Sequence, residues 1–208
     1  ARAAAGLPFD AAKTSALARR SSASAARSVY GGYVELPAGT PGDDALAAHV
    51  LHAPEHFALS IVVAVTAEGR KPVGSTDGMT HTRDTSPYYD AWVRSAPALA
   101  DEVRAGLVER DLGRIGRAME QSTLAMHACG LAAAPGLRCW QPATRAAFAR
   151  VRELRTEGLE VYATMDAGPH VKALCHVSQM DVVSRALAAA PGVLRVIHAE
   201  PGPGVELL

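Results

Sequence analysis

Residues 159–177 read Leu159-Glu160-Val161-Tyr162-Ala163-Thr164-Met165, then Asp166-Ala167-Gly168-Pro169, then His170-Val171-Lys172-Ala173-Leu174-Cys175-His176-Val177. Two short, mostly apolar runs flank four turn-forming residues, so the stretch predicts strand, tight turn, strand. A helix follows over Gln179 to Ala190, with Met180, Val183 and Leu187 on one face, and Val193 to Ala199 predicts a further strand. Val205 to Leu208 is a candidate for one more. Upstream, helical spacing dominates. Leu99, Val103 and Leu107 recur every four residues, Ile115, Met119 and Ser122 run toward His127, and Phe148, Val151 and Leu154 precede a stop at Gly158. Ile61-Val62-Val63-Ala64-Val65, within Phe57 to Thr66, is a buried-strand pattern. The order implies an α+β sandwich, with helices packed on one face of a mostly antiparallel sheet.

Further toward the N-terminus, Asp10 is placed to cap a helix over Ala11 to Arg20. A Ser/Ala stretch follows, and Val29-Tyr30-Gly31-Gly32-Tyr33-Val34 reads as a turn entering a strand. Pro37 to Asp44 is a loop by composition, and His49, His52 and His56 lie in a loop-like region around Pro54. Lys71 to Pro87, with Gly74, Gly78 and many hydroxyls, reads as a long ordered loop of the kind that is often functional.

The 208 residues are 49% hydrophobic, enough for one or two domains with a core. Lys+Arg and Asp+Glu balance at 21 each, which argues against a broad nucleic-acid or membrane surface. No apolar run is long enough to span a bilayer. Three cysteines without a CxxC pair disfavour a disulfide framework or a zinc site and fit a reducing cytosol. The eight histidines form no metal-ligand pattern. The chain starts without Met, in Ala-rich residues that resemble the tail of a helix begun further upstream.

Three segments carry residue types suited to anionic or hydroxylated ligands. Ser22, Ser24 and Arg27, after Arg19 and Arg20, would make an anion pocket from hydroxyls, backbone N–H groups and a guanidinium. They equally suit a helix cap with a solvated arginine. Ser75 and Thr76, on a glycine-bounded stretch, suit a phosphate loop or an ordinary cap. Asp166 is either a plain turn residue or a carboxylate fixed at the mouth of a sheet, able to orient or deprotonate a hydroxyl.

Taken in order, these segments resemble mevalonate diphosphate decarboxylases of the GHMP kinase superfamily. Arg19 through Gly32 is similar to the family's RRGSGSACRS segment and the aromatic Gly-Gly that follows it. Ser75-Thr76-Asp77-Gly78-Met79 through Thr85-Ser86-Pro87 resembles its SSTxGM…ETSP stretch. Met126-His127-Ala128 resembles its MHA, and Thr164 through Lys172 its TMDAGPNVK. The resemblance implies a GHMP-type fold, with residues 1–58 belonging to the N-terminal domain and 59–208 forming a ferredoxin-like C-terminal domain. It implies a cytoplasmic homodimer that uses ATP with magnesium. The reaction would be phosphorylation of the 3-hydroxyl of mevalonate 5-diphosphate, then loss of phosphate and carbon dioxide to give isopentenyl diphosphate. Arg27 would hold the substrate carboxylate, Ser22 and Ser24 its anionic groups, and Ser75 and Thr76 the substrate loop. Asp166 would face the 3-hydroxyl.

The sequence departs from the family pattern at four positions. Ser21 and Ala23 stand where the family has glycine, Thr76 where some bacterial members have arginine, and His170 where asparagine is usual. The family's Lys- and Tyr-bearing strand and its Gly/Ser-rich phosphate loop have no counterpart in these residues. The expectation is therefore an upstream segment that completes the site, without which the chain would be inactive. Rival expectations are a mevalonate 3-kinase or a monophosphate decarboxylase on the same fold, and a non-catalytic binding protein lacking the phosphate loop.

Overall fold

The computed structural model describes residues 6, 8–40, 42–69 and 73–206. They fall into two compact units, Leu59–Glu200 and Ala1–Ala58 with Pro201–Leu208.

The first unit opens with helix α1 (Ala11–Arg19), whose N-cap Asp10 accepts the Lys13 N–H at 2.9 Å. Helix α2 (Ala23–Arg27) follows at once, and β1 (Tyr33–Glu35) pairs antiparallel with β2 (His49–His52). The region of His49, His52 and His56, expected as loop, holds β2 and a 3-10 turn over Pro54–His56, with the rings of His52 and His56 stacked at 3.8 Å. Residues 201–206 return to this unit, although the sequence reading runs the second domain on to Leu208. Gly32 N–H donates to Gly202 O at 2.9 Å and Val205 N–H to Val29 O at 3.2 Å. Glycine at 31 permits that approach, since a Cβ there would lie 2.6 Å from Gly204 N. Val205 and Glu206 form no strand, and Leu207 and Leu208 lie outside the described residues.

The second unit is a four-stranded antiparallel sheet with helices. β3 (Leu59–Val65), β4 (Val161–Thr164), β5 (Val171–His176) and β6 (Arg195–Ala199) lie in the order β4-β5-β3-β6. Strand alternation sends Val62, Ala64, Val161, Ala163, Val171, Ala173 and Cys175 to one core. Helices α6 (Pro142–Thr156) and α7 (Met180–Ala188) meet it with Phe148, Val151, Leu154, Val183 and Leu187. Each such large side chain, when fully buried, contributes about 1.5–3 kcal/mol of hydrophobic stabilisation. Alternate residues of β4 face α5 (Leu112–Leu131), where Gly116 lies directly against the Tyr162 ring. Helix α4 (Tyr89–Glu109) packs on α5, and Arg114 ties them through Glu102 and Glu109 at 2.7 and 2.8 Å.

The long polar stretch expected as a loop is instead helix α3 (Ser75–Thr85). Its threonine hydroxyls satisfy the helix's own carbonyls, Thr82 Oγ1 donating to Gly78 O and Thr85 Oγ1 to His81 O, both at 2.8 Å. Pro87 ends it, as the fixed ring of proline dictates.

Candidate functional site

The second unit contains a cavity of about 300 Å³. The start of α3 (Gly74, Ser75, Gly78, Met79), the middle of α5 (Met126, His127) and the turn after β4 (Ala167, Gly168, Pro169, His170) all line it. Three segments separated by dozens of residues in sequence thus converge on one hollow. Arg138, Cys139, Gln141 and Glu68 add polar groups to the wall. Arg138 makes no ion pair among the described residues, whereas Glu68 lies 3.7 Å from Arg195 Nε. No group of three or more His, Cys, Asp or Glu side chains suited to a metal occurs among the described residues.

The turn after β4 is anchored from both sides. Thr123 on α5 donates its hydroxyl to Met165 O at 2.9 Å and accepts the Met165 N–H at 3.0 Å. At the far end Pro169 O accepts two buried hydroxyls, Thr66 Oγ1 at 2.8 Å and Thr144 Oγ1 at 2.7 Å. Thr66 N–H donates to His170 Nδ1 at 3.3 Å, so the residue in place of the family's asparagine has a structural task. Within the turn, Gly168 N–H donates to Asp166 O at 2.7 Å. The Asp166 carboxylate points outward, with 78% of its side chain exposed, and is ion-paired with Lys172 on β5. Asp166 itself is not among the cavity-lining residues; its three successors are.

His127, one of the buried residues of α5, has its pKa pushed below the usual histidine range by burial, against the weaker upward pull of the Asp166 main chain and charge. In the sequence this residue stands out only as part of Met126-His127-Ala128. Lys172 and Arg138 do not stand out in the sequence as site residues, because what distinguishes them is a spatial partner or a cavity wall.

Ser75, in the first turn of α3, lines the cavity, whereas Thr76, the next residue, is exposed and lies outside the lining. The N-cap Gly74 offers no side-chain hydrogen bond, so the start of α3 keeps free donors. Asp77 supplies a carboxylate within that first turn. Ser22, Ser24 and Arg27 belong to the first unit. Ser22 caps α2 by accepting Ala25 N–H at 3.0 Å, and its hydroxyl lies 3.0 Å from that of Ser24. Arg27 is exposed and makes no ion pair among the described residues.

The family described as the mevalonate 5-diphosphate decarboxylase C-terminal domain matches residues 61–199, and the diphosphomevalonate decarboxylase-like N-terminal domain matches residues 1–47. The diphosphomevalonate decarboxylase of Eremothecium gossypii is 34% identical over 174 residues, which cover 79% of this chain and 43% of the relative. The solved structure of MDDEF in complex with MVAPP is 33% identical at a TM-score of 0.91, covering 100% of this chain and 65% of the other. That of MDDEF with MVAPP, AMPPCP and magnesium is also 33% identical, at a TM-score of 0.90, covering 100% and 63%. Fold and cavity together place the molecule in the α+β class of the GHMP kinase type. Within that class, the chain belongs to the mevalonate 5-diphosphate decarboxylase family. It spans 43% of the length of the Eremothecium relative.

Proposed function

We propose that this chain is part of an ATP-dependent diphosphomevalonate decarboxylase, which phosphorylates the 3-hydroxyl of mevalonate 5-diphosphate and then releases phosphate and carbon dioxide to form isopentenyl diphosphate. The observation that carries the reading is the convergence of three family segments, at Ser75–Met79, Met126-His127 and Ala167–His170, on one cavity wall. A structural relative is bound to MVAPP, AMPPCP and magnesium, which supports the same ligands here.

In this reading Asp166 accepts a hydrogen bond from the 3-hydroxyl and orients it or takes its proton. Lys172 holds that carboxylate in one direction by their ion pair. Arg27 binds the substrate carboxylate through its planar fork, and Ser22 and Ser24 supply hydroxyls to anionic oxygens. Ser75, beside the uncapped start of α3, is placed to meet phosphate oxygens, with Thr76 following it. ATP with magnesium would supply the phosphoryl group. Catalysis in such a transfer is mostly positioning and charge stabilisation. The three free cysteines support a reducing, cytoplasmic setting. We further propose a homodimer and a site completed by residues beyond this sequence, which light scattering and assay of the complete gene product test.

The experiment is ATP-dependent carbon dioxide release by the complete gene product, offered mevalonate, its 5-phosphate or its 5-diphosphate. The expected result is a kcat/KM at least about 100-fold higher for the 5-diphosphate, as fits loss of charge-assisted contacts in the others. Preference for mevalonate or its 5-phosphate transfers the chain to a sister activity, and no turnover of any supports a binding protein.

A further inference from the structure

Among the described residues, the cavity wall holds one arginine, Arg138, and no lysine. The Arg138 guanidinium makes no ion pair and no side-chain hydrogen bond among them. The acidic group on the same wall, Glu68, lies 3.7 Å from Arg195 Nε, so its charge is already partly offset. Met79, Met126 and Leu137 make much of the rest of the wall apolar, with Ser75 and Gln141 as neutral polar groups. A hollow of about 300 Å³ with this lining suits a small ligand, and the uncompensated cation calls for an anionic one.

An exposed arginine without an ion pair is not unusual in itself, and Arg152 on α6 is another. What sets Arg138 apart is how its segment is held. Residues 132–141 link α5 to α6, yet they bond to other parts of the unit on both sides of Arg138. Before it, Ala134 N–H donates to Thr85 Oγ1 at 3.1 Å, and His81 Nε2 donates to Pro135 O at 2.8 Å, which fastens the segment to α3. Leu137 N–H donates to Gly130 O of α5 at 2.9 Å. After it, Gln141 N–H donates to Thr144 Oγ1 at 3.2 Å, and the same hydroxyl donates to Pro169 O at 2.7 Å. The end of the Arg138 segment and the turn that carries Asp166 therefore hang on one buried hydroxyl. A solvated arginine needs no such support, whereas a fixed main chain lowers the ordering cost of presenting a long side chain to a ligand.

We propose that Arg138 is a binding residue whose guanidinium grips phosphate oxygens of a ligand seated in this cavity. The proposal rests on the reaction given above. Phosphate matches the planar fork of arginine with two parallel hydrogen bonds. Two sources share that chemistry, the 5-diphosphate of the substrate and the triphosphate of ATP, and the experiment separates them.

The test is calorimetric titration of the complete gene product with mevalonate 5-diphosphate, and with AMPPCP and magnesium once the first is bound. Arg138→Ala should raise the Kd of one of the two about 10- to 100-fold, as fits loss of charge-assisted bonds. Its melting temperature should be nearly unchanged, because the side chain is exposed. A rise for the 5-diphosphate assigns the grip to the substrate, and a rise for AMPPCP assigns it to the nucleotide. Arg138→Lys should keep that Kd within about fivefold of wild type. Arg152→Ala removes the same charge outside the cavity and should change neither Kd by more than about twofold. Both Kd values within about threefold of wild type in Arg138→Ala overturn the proposal, as does an equal loss in Arg152→Ala. Carbon dioxide release with unchanged Kd values leaves the proposed reaction standing and removes Arg138 from the site. A weakened Kd in Arg138→Ala, with no carbon dioxide released by the wild-type protein, keeps Arg138 in the site and removes the reaction. A wild-type protein that binds neither ligand overturns both.

Discussion

The turn that carries Asp166 and the short helix that carries Arg27 differ in how firmly the rest of the fold holds them. The turn is held from outside at its two ends, Met165 and Pro169, by Thr123, Thr66 and Thr144, all buried hydroxyls from separate parts of the chain. Helix α2 has one such outside hydroxyl, Ser15 Oγ donating to Ala26 O at 2.8 Å, and otherwise relies on its own Ser22 cap and the Ser28 Oγ to Ser24 O bond at 3.0 Å, with its serines and arginine exposed. A group that must meet a reacting proton needs a fixed position, whereas one that captures an anion can adjust to it through a long, mobile side chain. The two regions should therefore fail differently when altered.

The largest effect is expected at Asp166. Asp166→Asn keeps the shape of the turn and removes charge and basicity, so kcat should fall by ~10²–10⁴-fold with the melting temperature nearly unchanged. A lowered melting temperature with intact turnover would make Asp166 a plain turn residue and erase the contrast. Arg27→Ala should lower kcat/KM by roughly 30- to 1000-fold. Lysine should rescue it only partly, lacking the bidentate fork. An alanine variant within about threefold of wild type would put Arg27 on the solvent side.

Thr123→Val tests the support rather than the chemistry. It is nearly isosteric but strips partners from the buried N–H and C=O of Met165, which should cost about 1–3 kcal/mol per unsatisfied group. Denaturant unfolding checks this, and the matching change at the exposed cap, Ser22→Ala, should cost only about 1 kcal/mol. Equal losses at the two sites would contradict the contrast.

A smaller effect concerns pH. His127 has a depressed pKa in the folded protein, so the unfolded chain takes up the proton first as pH falls. Its contribution to stability is full above the unfolded value of about 6.5 and is lost as pH drops from there toward the folded pKa. His127→Phe should flatten that part of the stability profile, measured by urea unfolding from pH 7.5 to 5. An unchanged slope would show that other groups set it.

The sequence disclosed these regions unequally. The strand–turn–strand around Asp166 was legible because alternation and turn residues act over a few positions. The Asp10 cap and the apolar run in β3 were legible for the same reason. Helix α3 was not, because glycines and hydroxylated residues have poor helix propensity and the hydroxyl-to-carbonyl bonds that accommodate them appear only once the helix exists. β2 was hidden in His49-Val50-Leu51-His52, too short for a period and defined by pairing with β1. Lys172 was in view as part of a motif. Its link to Asp166 depends on antiparallel pairing, which sets it opposite Thr164 on β4. His127 was in view only as part of the Met126-His127-Ala128 motif, since its burial against Trp140 and its place in the cavity wall are tertiary.

The measurement that bears most directly on the whole account is the ratio of carbon dioxide to ADP formed by the complete gene product from carboxyl-labelled mevalonate 5-diphosphate and ATP. A decarboxylase that phosphorylates the 3-hydroxyl and then expels the phosphate gives one carbon dioxide for each ADP. ADP formed in the presence of substrate without carbon dioxide would mean that phosphoryl transfer is the end of the reaction, and would contradict the decarboxylase reading.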